Sequence, residues 1–455
     1  MDTIIRSLPT GSVTSSVLPH MARVRQRLYD RLLVDIEGTV LRQVEQHLAG
    51  KIQSGQSIAI AVGSRGVANV ARIARATVDG IRRLGGEPFV VPAMGSHGGG
   101  TAEGQIDVLA SLGVTEAFVG CSIRSSMEVV HLGTTDEGIP VYLDRNAASA
   151  DGIVVINRVK KHTDFHGEIE SGLLKMLCIG LGKKAQADLV HSYGAPGLRY
   201  HVPRVARVTL ARAPVLLGLA SLENGYEETA EIIALRPEEI EEGEKRLLRK
   251  NKRNYPMLPL DNIDLLIVDR IGKEVSGTCM DTNVIGRIRI AGEPEPARPS
   301  IKMIVALSLT EASHGNAVGV GLADVISRRL RDQIDDAVMS VNVITSGFLE
   351  RGKIPITLSN DRLAIETALS RLAPDVQRRP RIVRILDTLH VAEFEASEAL
   401  LDELRETPNV SVAPDLHPIL FDSTEMISPL EPAEPGINRN GKHHSPQTLD
   451  EMAKI

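Results

Sequence analysis

Cysteine is nearly missing from this 455-residue chain: Cys121, Cys178 and Cys279 stand far from one another. That spacing excludes a disulfide scaffold and a Cys-rich zinc module, and it suits a reducing compartment. Nowhere do eighteen apolar residues run together, so no transmembrane helix and no membrane partner is expected. The opening MDTIIRSLPTGSV has neither the apolar region nor the cleavage pattern of a signal peptide, and a cytoplasmic location is the expectation. Lys and Arg are not in excess. A net charge of −6 speaks against nucleic acid, whose phosphates require a basic face, although a single pocket can still be basic and take a small acidic substrate. Repeats and low-complexity tracts are missing too.

The remainder is ordinary for a soluble globular protein, 42% apolar and 24% charged, and is long enough for two or three domains. Pro19 to Gly50 has helical spacing and reads as a broken pair of helices. SIAIAVGSRGVANVARIARATVDGIRRLGG then reads as strand, glycine turn and amphipathic helix, ending at Gly85 and Gly86. EPFVVPAMGSHGGGTAEGQIDVLASLGV repeats the unit, with Thr101 as N-cap. DGIVVINRV and APVLLGLAS are further buried strands, and ALRPEEIEEGEKRLLRKNKRN is a helix with acids first and bases last. Past YPMLPLDN, a linker, the runs IDLLIVDRIG, KMIVALSL and RIVRILD are strand-like, and LADVISRRLRDQIDDAVMSV reads as one long helix. The expectation is an α/β protein of two domains, residues 1–256 and 257–422. Each is a mainly parallel, Rossmann-like sheet flanked by helices, with the active site in the cleft between them and a Pro-rich polar tail over 423–455.

Candidate chemistry concentrates in one stretch, Asn157 to Gly194, NRVKKHTDFHGEIESGLLKMLCIGLGKKAQADLVHSYG, with three histidines, four acids and five lysines. It follows the central strand, and ligands of open α/β sheets collect at the carboxyl ends of strands. His162 and His166 lie where that strand opens into a loop, and Asp164 between them could orient either ring. Lys175 falls on a helix whose face is Ile169, Leu173, Met176 and Leu177; it is either a lysine snorkelling to water or an amine made nucleophilic by apolar surroundings. Arg65, on the turn after the first strand, could clamp a carboxylate or be a surface residue. His97, among glycines on the next such turn, suits a general acid or base, or is structural. GLGKKA, Gly180 to Ala185, satisfies the dinucleotide pattern G-x-G-x-x-A, but no strand ending in an acid follows about twenty residues later for a ribose. In the second half, Lys273 of DRIGKEVSGTCMDTNVIGR is placed to face a substrate across the cleft.

The order of these residues, an Arg, a His, a second His, a Lys and a His sixteen residues beyond that Lys, resembles the nickel-dependent lactate racemase family over about Ser57 to Tyr193. The resemblance implies a racemase or epimerase of a 2-hydroxycarboxylic acid, with cofactor-biosynthesis proteins as partners. Its cofactor would be nickel in a nickel-pincer nucleotide of the pyridinium-3,5-bisthiocarboxylic acid mononucleotide type. By the same resemblance Lys175 carries the pincer, His191 binds nickel, His97 and His162 are the acid/base pair and Arg65 binds substrate. The family usually has an Asp three before that Arg, a Pro after it and an Arg before the lysine; here those positions are Val62, Gly66 and Leu174, so phosphate charge falls to Lys183 or Lys184. Two other classes stay open: a nicotinamide-dependent oxidoreductase using GLGKKA, and a non-catalytic metal- or ligand-binding protein of the same fold.

Overall fold

The computed structural model describes residues 18–64 and 66–431. Strand β1 (Met21–Gln26) comes first, then β2 (Ser57–Val62), β3 (Glu87–Pro92), a small hairpin of β4 (Val129–Thr134) and β5 (Pro140–Asp144), then β6 (Gly152–Arg158), β7 (Val215–Glu223) and β8 (Thr229–Leu235). The second half adds β9 (Asn262–Val268), β10 (Ser300–Ala306), β11 (Val325–Ser327), β12 (Ile356–Leu358), β13 (Ile382–Ile385), β14 (Glu393–Ser397) and β15 (Val410–His417). One sheet has the order β3-β2-β6-β7-β8, and only β8 is antiparallel. The other has the order β12-β11-β10-β9-β13-β14-β1-β15, parallel as far as β13 and antiparallel beyond. The protein is thus α/β with mainly parallel sheets.

Strands buried on both faces send successive side chains into opposite cores. In β2, Ile58, Ile60 and Val62 pack with the helices Ile36–Leu48 and Val70–Arg83, whereas Ala59 and Ala61 face the helical run around Leu173 to Val190. β6 divides in the same way, Val154 and Ile156 to one side, Ile153 and Val155 to the other. Each such fully buried aliphatic side chain contributes about 1.5–3 kcal/mol. β6 therefore makes a stiff base for the loop that follows it. In the second sheet Leu266 and Val268 face one core, Leu265 and Ile267 the other.

Three local expectations change. Met21–Gln26 is a strand rather than helix, since its alternating burial lets it pair antiparallel with both β14 and β15. The long helix around LADVISRRLRDQIDDAVMSV is split: Val325–Ser327 joins the sheet, and helices cover Arg328–Asp332 and Asp336–Ser346. Ser327 and Asp335 each cap the helix that follows, accepting N–H bonds from Leu330 and from Ala337 and Val338. The helix expected from Gly167 begins only at Leu173. Thr101 does cap its helix, accepting the Gly104 N–H at 3.0 Å. The tail is described as far as residue 431; there Ile427 is buried and the Leu430 N–H donates to Asp269, laying this segment on the second sheet.

Candidate active site

The loops after β2, β3 and β6 leave the same edge of the first sheet, because these strands are parallel neighbours. Arg65 lies outside the described residues, but its neighbour Ser64 hydrogen-bonds through Oγ to Nδ1 of His97. The loops after β2 and β3 therefore meet. His97 is exposed, and Gly98, Gly99 and Gly100 after it all have φ of 65–67°. At Gly98 a Cβ would also lie 2.5 Å from the Gly104 backbone, so this turn requires glycine.

The loop after β6 is held from several directions. Glu170, fully buried, accepts the N–H of His162 at 2.6 Å and that of Gly167 at 3.1 Å, and pairs with Lys252 at 2.5 Å. Burial resists its ionisation, but the nearby His166 imidazole, Lys252 and the His162 N–H outweigh it and hold its carboxyl down to about 2. From the second half, Asn283 donates to the His162 carbonyl at 3.1 Å and Thr282 to the Thr163 carbonyl at 2.7 Å. Arg351, 1% exposed, meets Asp164 at 2.5 Å and the Thr163 carbonyl at 3.1 Å. Asp164 is likewise desolvated, yet the charges of Arg351 and His162 hold its carboxyl well below the usual range.

Within this frame the His162 ring stacks on buried Phe165, centroids 4.8 Å apart, and its Nε2 lies 2.5 Å from Nζ of Lys175. Nδ1 accepts the Asp164 N–H at 3.0 Å. With Nδ1 accepting, the neutral ring carries its proton on Nε2, the nitrogen that faces Lys175. His166 points elsewhere: its ring is 34% exposed and its Nδ1 is 3.7 Å from Glu170, too far for a hydrogen bond. Of the two histidines, His162 is the one brought to the lysine.

Lys175 is the partly open residue of a run, Leu173 to Lys183, whose other members are all buried. This run packs across the sheet edge: a Cβ at Gly63 would meet Met176, and one at Gly95 would meet Ile179. His191 ends the next helix, Lys183–His191, and is half-buried. Burial, then the Lys175 charge, push its imidazole below the ordinary value, with Asp164 and Asp188 opposing. His191, Lys175 and Asp164 thus share one electrostatic neighbourhood, and it favours the neutral form of His191.

The adjacent lysines differ. Lys183 is fully buried, and its ammonium is engaged by the Pro92 carbonyl, Gln105 at 2.9 Å and Asp144 at 3.2 Å. Lys184 is exposed, ion-paired with Asp188, with its aliphatic stem against Gly100 of the His97 loop. GLGKKA does not form a strand-to-helix turn; through Leu181 and Gly182 it joins two helical segments, Met176–Gly180 and Lys183–His191, and Gly180 and Gly182 allow close packing on Ala93 and Gln186. The phosphate cradle of a dinucleotide site needs the other context. Lys273, after β9, donates to the Gly277 carbonyl at 2.6 Å and to Asn342 at 3.1 Å. The contacts from this loop to the histidine loop come from Thr282 and Asn283. Sequence reasoning missed these two, Glu170, and Arg351, which lies 187 positions from Asp164.

Residues 41–193 match the family described as lactate racemase N-terminal domain. None of the curated proteins compared matches the sequence. Among solved structures, one similar chain is a protein from Thermotoga maritima, 13% identical, with 62% of this chain and 72% of that one covered and a TM-score of 0.45. Another is the lactate racemase apoprotein from Thermoanaerobacterium thermosaccharolyticum, 12% identical, covering 74% of this chain and 83% of its own, with a TM-score of 0.44. No helix of the described residues is long and apolar enough to cross a membrane.

Proposed function

We infer, from a chain that belongs over residues 41–193 to the lactate racemase N-terminal domain family, that this protein racemises or epimerises an α-hydroxyacid with a nickel-pincer nucleotide. The observation that supports this best is Lys175. Its amine emerges from an otherwise buried helical run, meets His162 at 2.5 Å and is felt electrostatically at His191. Attachment point, acid/base group and metal ligand are then neighbours.

The donor chemistry fits that cofactor. Among the described residues no group of three or more His, Cys, Asp or Glu could hold a metal ion. A single imidazole plus an organic ligand that brings its own donors meets that limit, and a neutral histidine is the form that ligates nickel. When bound, the pincer nucleotide supplies the centre that takes up and returns a hydride, so that the substrate passes through its ketoacid. Lys175 would hold it covalently, His191 would ligate the nickel, and Lys184, exposed beside the His97 loop, would offset its phosphate charge. His97 and His162 take and return the hydroxyl proton, one for each enantiomer. Arg65 and Lys273 bind the carboxylate, Arg65 as a two-pronged clamp.

The test is protein made in cells able to build the pincer, examined for nickel, intact mass and visible spectrum, and assayed on single-enantiomer 2-hydroxyacids by chiral chromatography. Nickel, a mass increment on Lys175 and loss of enantiomeric purity are expected. Activity from protein of unmodified mass would refute the reading. An absorbance change of added nicotinamide cofactor would favour an oxidoreductase, and bound metal without turnover a binding protein.

A further inference from the structure

Arg351 is among the largest fully buried side chains of the described residues, and all three of its guanidinium nitrogens are used. Nε donates to the Ile288 carbonyl at 3.0 Å, within the second half, while Nη1 and Nη2 cross to Asp164 and to the Thr163 carbonyl. The first bond anchors the fork and the other two fix the histidine loop. A buried arginine spent on two groups of another segment sets geometry more than it adds stability.

Its target flanks the ring nitrogen that faces away from Lys175. Asp164 presents two groups to Nδ1 of His162, its backbone N–H in a hydrogen bond at 3.0 Å and its carboxylate at 3.7 Å, beyond a hydrogen bond but near enough to act by charge. The N–H favours the neutral ring, since only that form keeps a lone pair on Nδ1 to accept it. The carboxylate favours the protonated ring, through its charge. A histidine that works as base in one direction and acid in the other needs both.

We propose that Arg351 is a positioning residue for proton transfer by His162, acting through Asp164: it holds that residue so that both its N–H and its carboxylate stand against Nδ1. The assignment rests on His162 being an acid/base group. Besides Asp164 and Arg351, the titratable groups near His162 include Lys175, His191, and Glu170 with its partner Lys252.

The decisive experiment needs no cofactor. In the apo chain the His162 ring is titrated by proton–carbon NMR, assigned with His162→Gln. Arg351→Met leaves the Asp164 charge unscreened, so the His162 midpoint should rise by about one pH unit, whereas Asp164→Asn should lower it by about as much. The double variant should titrate as Asp164→Asn alone, because Arg351 then has nothing to act through. Loss of fold alone does not produce opposite shifts. Should Arg351→Met not fold, the comparison of Asp164→Asn with the double variant still decides. An unchanged midpoint in Arg351→Met, or a double variant that departs from Asp164→Asn, overturns the proposal. In loaded, active protein, guanidinium should restore part of the turnover lost in Arg351→Ala. Were the wild type to show no turnover, the racemase reading would fail while the NMR result still judged Arg351.

Discussion

Glu244 sits at the start of the turn that carries Lys175 and forms no ion pair among the described residues, which makes stability depend on pH in a predictable sense. It lies on the helix Ile240–Arg253, fully buried, and accepts the Leu174 N–H at 2.9 Å; its Oε1 has no hydrogen-bond partner. Gly172 packs so closely that a Cβ there would fall 2.3 Å from the Glu244 carboxyl carbon. Burial drives the carboxyl up from 4.5 to about 7, and the backbone N–H bonds of Leu174 and Leu173 recover only part of that cost. The folded protein thus keeps a proton that the unfolded chain has lost between pH 4.5 and 7. The corresponding stabilisation is complete below the unfolded value and lost as pH rises through the folded one. A difference of 2.5 pH units is worth about 3 kcal/mol. Glu244→Gln cannot titrate. Its amide oxygen can still accept the Leu174 N–H, while its NH₂ group, where Oε1 was unpartnered, costs about 1–3 kcal/mol independently of pH. Urea unfolding of both proteins followed by circular dichroism from pH 4.5 to 8 separates the two effects. The stability of wild type minus that of Glu244→Gln should fall by about 3 kcal/mol across this window. A difference that stays flat would refute the argument.

Three further outcomes are expected. Lys183→Met strands the buried Asp144 carboxylate and should cost about 3–5 kcal/mol in urea unfolding, largely recovered by adding Asp144→Asn; an unaltered urea midpoint would show the pair is dispensable. In protein loaded with the pincer, His191→Ala should lose nickel by elemental analysis yet keep the organic adduct by intact mass, since the imidazole supplies one bond; equal nickel in both proteins counts against it. His97→Asn and His162→Gln should each stop racemisation, with His166→Ala near wild type by chiral chromatography. If His166→Ala is inactive and His162→Gln active, the two roles exchange.

Seven of the parallel strands were readable because a strand buried on both faces is a continuous apolar run, and β2, β3, β6, β7, β9, β10 and β13 all stand where such runs occur. Thr101 as an N-cap was readable for a similar reason, since the cap bonds within its own turn. Met21–Gln26 was not. Its strand pairing depends on β14 and β15, at the far end of the chain. The split of the helix before Asp336 was hidden likewise, because Val325–Ser327 extends only by pairing with β10 and β12.

At the site, the sequence nominated His97, His162, Lys175 and His191 by their places after strand ends or on a nearby helix together with the family resemblance. They could only rank His162 against His166. The fold distinguishes them through Glu170, Asn283 and Arg351, which fix the loop so that one ring meets Lys175 and the other lies on the Glu170 side. Lys183 and Lys184, neighbours in sequence, were indistinguishable by composition, and only the Asp144 carboxylate and Pro92 carbonyl beneath Lys183 draw it inward. Periodicity and caps are written in residues a few positions apart, whereas a side chain's direction and charge state follow from whichever distant segment is folded against it.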